Sequence, residues 1–158
     1  MNRGIVVVLL GLAACAAPLP PARDFVAPDR PASLECVVYA RMVSGIAIRG
    51  DAWTWWDRAE GRYVRTRLPR PGAVLVFSRT DRLRLGHVSV VTAVIGPREV
   101  RVAHANWVRG RVAEDVPVID VSPAGDWTRV RVFNGAAGAF GGVYRTEGFI
   151  LPEPVTGS

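Results

Sequence analysis

Lysine is absent from this chain of 158 residues, so all 20 of its Lys/Arg positions are arginine. The arginines are spread along the whole chain, and no nucleic-acid-binding motif accompanies them, which argues against a DNA or RNA partner. A formal net charge of +6 still favours a polyanionic partner, such as an anionic cell-wall polymer or a membrane surface. Cysteine and histidine are scarce as well: Cys15, Cys36, His87 and His104 are all there are. A three-ligand zinc site from Cys36, His87 and His104 would lack the usual close-spaced ligand pair, and no metal or organic cofactor is expected. Long apolar runs are also missing, since Ile5 to Leu12 is too short to span a bilayer. With 158 residues, one domain with a proper core is the expectation.

What is present begins with a processing signal. Met1-Asn2-Arg3 forms a short positive region, the apolar run follows, and small residues come next, as in a signal peptide. Its end, Leu12-Ala13-Ala14-Cys15, resembles the lipobox of bacterial lipoproteins, in which the cysteine is acylated. By resemblance to Gram-negative sorting, Ala16 implies the outer membrane with the domain facing the periplasm. Pro18, Pro20, Pro21, Pro28 and Pro31 then make a stiff tether over 16–32. The predicted organisation is 1–15 signal and lipobox, 16–32 tether, 33–151 folded domain and 152–158 tail. If Cys15 carries lipid, Cys36 is an unpaired thiol in a compartment that oxidises thiols; the alternative is a Cys15–Cys36 disulfide.

Within the domain, Ser33 reads as an N-cap, and apolar Leu34, Val37, Val38, Met42 and Val43 recur at helical spacing until Gly45. A helix over Leu34–Ser44 is predicted. Gly50-Asp51 caps a second short helix from Ala52 to about Ala59, in which Trp53 and Trp56 are expected to fill the core and Trp55 to pack on the other side. The basic stretch Gly61–Pro71 reads as a loop, whose Arg62, Arg65, Arg67 and Arg70 either steer an anionic polymer or are simply solvated. From Gly72 short apolar runs bounded by turn residues signal antiparallel strands: Ala73–Phe77, His87–Ile95, Val100–Asn106, Val116–Val121, Thr128–Phe133 and Val143–Ile150. Gly135–Gly142 reads as a mobile connection. Helices followed by five or six strands predict an α+β domain with its helices packed on one antiparallel sheet.

The candidate chemistry centres on Cys36. In the first turn of its helix the thiol lies near the positive end of the helix dipole and near free backbone N–H groups, while Glu35 opposes its ionisation. A thiolate nucleophile needs a base, and the base needs an orienting partner. His87 opens a strand directly after Gly86, whose missing side chain permits close backbone approach. His104 and Asn106, two apart on the next strand, are expected to face the same side, and either could fix the tautomer of His87. Nucleophile Cys36, base His87 and orienter His104 or Asn106 make a complete set.

The blocks Leu34-Glu35-Cys36-Val37-Val38-Tyr39-Ala40-Arg41, Gly50-Asp51-Ala52 leading to Trp55, Pro71-Gly72-Ala73-Val74-Leu75-Val76-Phe77, Gly86-His87-Val88-Ser89-Val90-Val91 and Ala105-Asn106-Trp107 resemble, in order, those of a CHAP domain. That family is the cysteine, histidine-dependent amidohydrolase/peptidase branch of the NlpC-type papain-like superfamily. The resemblance implies a papain-like fold, catalytic roles for Cys36 and His87, and peptidoglycan as the substrate. It also implies cleavage either between muramic acid and L-alanine or within the peptide stem or cross-bridge. His104 stands where the family commonly carries glutamate, and Asn106 is kept. Trp55 and Trp107 are the candidate substrate-binding aromatics. The competing expectation is a non-catalytic wall-binding or scaffolding lipoprotein of the same fold.

Overall fold

The computed structural model describes residues 34–155. The signal, Cys15, the tether and Ser33 lie outside the described residues. Helix α1 spans Cys36–Ser44, and a 3-10 turn over Ala52–Thr54 leads into the single-turn helix α2, Trp55–Arg58. Seven strands follow: β1 Tyr63–Thr66, β2 Val74–Phe77, β3 His87–Gly96, β4 Glu99–Ala105, β5 Val112–Asp120, β6 Arg129–Asn134 and β7 Ala139–Pro154. All pairings are antiparallel. The sheet runs β1-β7-β2-β3-β4-β5-β6, and a further pairing of β7 with β6 closes six strands, β2 to β7, into a barrel. Closure leaves no free edge along most of the sheet.

The expected single sheet of five or six strands is therefore a closed barrel with an extra strand, and the differences have local causes. Gly61–Pro71 contains β1, whose Arg65 and Thr66 pair with Ile150 and Phe149 of β7. None of the four residues of β1 is fully buried, so the segment shows no hydrophobic period that would mark a strand. Gly135–Gly142 is a hairpin end, with Phe133 opposite Phe140 and Asn134 opposite Ala139. The same strand β7 runs on through Pro154, which pairs with Tyr63, so the expected tail begins later than residue 152.

Two cores share the wall of this barrel. Leu75, Phe77, Val91, Val102, Val118, Val132 and Phe149 fill the interior. Val74, Val76, Val88 and Val90 point the other way and meet Ala40, Ile46, Ile48 and Trp55. Strand β2 is buried on both faces, which explains its uninterrupted apolar run. Trp55 is fully buried, with its indole N–H donating to the Gly50 carbonyl at 3.3 Å. It is thus a core residue rather than a substrate-binding one. Of the expected pair, Trp56 is partly buried and packs against this core, but Trp53 is the exposed indole, at 39 %, because the 3-10 turn rotates the residues relative to an ideal helix.

Candidate active site

Helix α1 begins two residues later than the capping pattern indicates. Glu35 is the N-cap, with extended backbone, and Cys36 is the first helical residue. Gly45 ends the helix in the left-handed region at φ 75°, as its position suggests. Tyr39 and Ala40 are buried, whereas Met42 and Val43 are exposed, so the packed stripe is shifted from the one expected. The backbone N–H groups of Val38 and Tyr39 both donate to the Glu35 carbonyl. Those of Cys36, Val37 and Val88 point at the Cys36 sulfur and favour its thiolate, but burial outweighs them, and the Glu35 carboxylate adds to it, so the thiol is pushed above its ordinary range. The contact with Val88 sets the sulfur beside the residue that follows His87.

His87 opens β3, paired with Phe77 of β2, and Gly86 makes that placement feasible. At φ +67° Gly86 occupies backbone space where a Cβ would lie 2.7 Å from the Trp53 nitrogen and 3.0 Å from the Phe77 carbonyl oxygen. The Trp53 N–H donates to the Leu85 carbonyl at 3.1 Å, tying the 3-10 turn to the strand start. Cys36 and His87 line one cavity of about 570 Å³ together with Glu35, Asp51, Asp81 and Arg82. Arg84 lines it too.

The partner of His87 is His104, with Nε2 of the former 3.2 Å from Nδ1 of the latter. Both rings are almost completely buried. Burial holds His87 well below the usual imidazole range, with neighbouring His104 acting the same way, and burial lowers His104 to about 4. The rings belong to an aromatic cluster. Trp107 stacks on His104 with centroids 5.4 Å apart and planes at 16°, and Trp107 also meets His87 edge-on at 4.9 Å. Phe77 and Tyr144 close the cluster around Trp107.

Asn106 lines the cavity of Cys36 and His87, but its hydrogen bonds go elsewhere than to His87. Strand β4 ends at Ala105, and Asn106 turns into the left-handed region at φ 61°, which breaks the two-residue phase that would place it beside His104. Its Nδ2 donates to Glu35 Oε2 at 3.2 Å and its Oδ1 accepts from the Gly110 N–H at 2.9 Å. It therefore ties the loop after β4 to the start of α1. Trp107 is half-buried and lines a cavity on the other side of His104 rather than the one that holds Cys36. The basic residues of the Cys36 cavity are Arg82 and Arg84, on the loop before Gly86, whereas Arg65 is paired with Glu60 at 2.8 Å and lies over Trp56. Direct attachment of that loop to Gly86-His87 is the sequence feature that points to Arg82 and Arg84.

Fold and site together place the molecule among proteins that bring a helix-borne thiol to a strand-borne imidazole. It belongs to the CHAP domain family, whose family model matches residues 27–106, half of the chain and the part that holds Cys36, His87, His104 and Asn106. Membership implies, in general terms, cysteine/histidine-dependent amidohydrolase chemistry with peptidoglycan as substrate. A search of curated proteins finds no match to the chain.

Proposed function

We propose that this protein cleaves amide bonds in peptidoglycan with Cys36 as nucleophile and His87 as general base and then acid. The observation that carries the reading is the shared cavity of Cys36 and His87, with His87 Nε2 held by His104 at 3.2 Å. Because Nε2 faces His104, Nδ1 is the nitrogen left to act on the thiol. In that tautomer Nε2–H donates to His104 Nδ1, and neutral His104 carries its proton on Nε2. The Cys36 Sγ–H bond breaks as the proton passes to His87 Nδ1 and sulfur bonds to the substrate carbonyl carbon. The oxyanion that forms is received by the backbone N–H groups of Cys36 and Val37 at the start of the helix. His87 then protonates the leaving amine, the C–N bond breaks, and water hydrolyses the thioester with His87 again as base.

His104 orients His87 without supplying the full negative charge that a carboxylate would. Asn106 has a positioning role, through Glu35 and the helix start. A peptide rather than a bare glycan occupies the cavity in this reading, because its walls carry both signs: Glu35, Asp51 and Asp81 against Arg82 and Arg84. Peptide stems present both amine and carboxylate groups to such a surface. Cleavage falls either at the muramoyl–L-alanine amide or within the stem or cross-bridge, and mass spectrometry of products from a defined muropeptide set separates the two. The papain-like arrangement of helix cysteine and strand histidine belongs to the same reading. So does the placement of the domain at the outer membrane, facing the periplasm and anchored by lipid on Cys15. Partition into detergent that is lost on Cys15→Ala tests the anchor.

The hydrolase reading is tested by soluble-fragment release from purified sacculi, comparing the domain with its Cys36→Ala variant. Release by the unmodified domain alone is the expected result. Equal release by both would overturn Cys36 as the nucleophile, and no release by either would leave a non-catalytic wall-binding protein as the better reading.

A further inference from the structure

Two cavities run together beside the 3-10 turn. The first, of about 430 Å³, is lined by Trp53 and Trp56 and by the polar side chains of Asp57 and Arg79. The second, of about 320 Å³, is lined by Arg67, Thr128 and Arg129. Ser78, Arg145 and Glu147 belong to both, so the two form one groove with an aromatic end and a basic end. The aromatic end is held in place. The Arg79 guanidinium lies 5.5 Å over the exposed Trp53 ring; Trp56 has Arg65 5.2 Å over its ring and Gly148 against its edge, where a Cβ would come within 2.9 Å. Ser78 donates its N–H to the Arg145 carbonyl at 2.9 Å and its hydroxyl to Glu147 Oε1 at 2.6 Å.

The basic end carries like charges side by side. Arg129 stands directly opposite Arg145 in the pairing of β6 with β7, an arrangement in which the two repel. Arg67, from the basic stretch after β1, is the third cation there. The ion pairs among the described residues are Arg65–Glu60, Arg98–Asp120 and Arg101–Glu99, and none of the three groove arginines is in one. Asp126 lies within electrostatic reach of Arg67 but is engaged by Thr128 and Ser122, whose hydrogen bonds do most to hold its carboxyl below the usual range. An indole presents a broad apolar face, which the C–H face of a pyranose ring covers. Sugar hydroxyls both donate and accept, and so suit Asp57, Ser78 and Glu147. Guanidinium groups that share no carboxylate suit an added anion.

We propose that this groove binds a carboxylate-bearing N-acetylhexosamine, muramic acid with its lactyl carboxyl free. The pyranose lies against Trp53 and Trp56, and the carboxylate lies among Arg145, Arg129 and Arg67. In an intact strand that carboxyl is amide-bonded to L-alanine and carries no charge, so the ligand is glycan already stripped of its stems. Hydrolysis of the muramoyl–L-alanine amide is the class of reaction that supplies it. No bond is made or broken in the groove. The groove adjoins the catalytic cavity: the Trp53 backbone N–H donates to Leu85, and Leu85 and Ala52 line the cavity of Cys36. A stripped sugar held at Trp53 therefore brings a neighbouring stem of the same strand toward Cys36. The inference rests on peptidoglycan as the polymer this protein meets, but not on Cys36 as nucleophile.

N-Acetylmuramic acid is the probe, compared with N-acetylglucosamine, which lacks the lactyl carboxylate, and with sodium D-lactate, which lacks the sugar. All titrations use the full chain carrying Cys36→Ala, so a failure of the hydrolase reading, which release from sacculi decides, leaves them intact. The readout is the indole N–H NMR signal of Trp53, one of five tryptophans, assigned with Trp53→Phe. N-Acetylmuramic acid is expected to shift it saturably, with an apparent Kd about fivefold or more below that of N-acetylglucosamine at about 50 mM salt, the scale of a charge-assisted hydrogen bond at a partly exposed site. About 500 mM salt should shrink that advantage. Arg145→Gln should remove it, whereas Arg49→Gln, the same loss of charge outside the groove, should leave it. D-Lactate should leave the Trp53 signal unmoved. A Trp53 signal indifferent to both sugars would overturn the site. Equal affinity for the two sugars would overturn recognition of the carboxylate, and so would an advantage that survives Arg145→Gln in a protein whose spectrum shows an intact fold. A response to D-lactate equal to that of N-acetylmuramic acid would overturn recognition of the sugar.

Discussion

Cys36 and His87 line one cavity, yet unlike parts of the chain build its two sides. The thiol stands on a nine-residue helix in which only Tyr39 and Ala40 are buried, while Met42 and Val43 are 65 % and 50 % exposed. The imidazoles stand on adjacent strands of a closed barrel, each almost fully buried and in contact with Trp107. One side is lightly packed and the other is closely buried. The contrast assigns different tasks to the two sides: the barrel sets the basicity of His87, and the tie from Asn106 to Glu35 sets where the thiol lies. Both partners are pushed toward their neutral forms, so at rest the pair is thiol and imidazole rather than thiolate and imidazolium, and in the proposed mechanism the proton moves as sulfur attacks.

That division of tasks can be broken at several points. Removing the base is the severest. His87→Ala is expected to lower kcat/KM on peptidoglycan fragments by about 10⁴-fold, with circular dichroism showing an intact fold. Trp55→Ala strikes the junction between the two sides. Loss of a fully buried indole beneath β2 and β3 should cost about 3–5 kcal/mol in urea unfolding, whereas the same change at exposed Trp53 should cost under about 1 kcal/mol.

Acid sharpens the comparison, because the buried imidazoles resist protonation in the fold and not in the unfolded chain. With His104 lowered from 6.5 to about 4, the unfolded state takes up the extra proton as pH falls through that window. Stability is therefore complete above 6.5 and declines toward 4, by about 3 kcal/mol from this residue, with His87 acting in the same direction. Urea unfolding at about pH 7 and about pH 4 should show the decline, and His104→Gln should remove its share. The smallest effect belongs to the tie on the helix side. Asn106→Ala should reduce turnover by about tenfold or less, the scale of one partly exposed hydrogen bond to a charged group, and should leave the pH dependence of turnover unchanged.

Much of this arrangement can be read from residue order. The strand starts at Val74, His87 and Glu99 follow the apolar runs closely, because strands buried on one or both faces repeat in a way that turn residues punctuate cleanly. Barrel closure cannot be read that way. It depends on β7 pairing with β6 through its first half and with β2 and β1 through its second, a long-range property of a 16-residue strand that begins in a Gly/Ala-rich stretch. Cys36 and His87 are legible as a pair through chemistry and family pattern. Resolving His104 from Asn106 needs a dihedral angle: strand phase places both on one face, and the left-handed turn at Asn106 removes one of them. Trp55 is misread from periodicity because a 3-10 turn precedes a single α-helical turn, and neither keeps the 100° step on which the reading depends.

The central claim is that the buried histidine pair activates Cys36, and the pH dependence of Cys36 alkylation by iodoacetamide, with and without His87→Ala, tests it most directly. With His87 present, alkylation should persist to pH values below 6.5, because the imidazole stays neutral there, and should exceed that of the His87→Ala variant about tenfold near pH 7. In the variant the rate should rise only as pH approaches the elevated range of the buried thiol. Superimposable curves for the two proteins would contradict the claim.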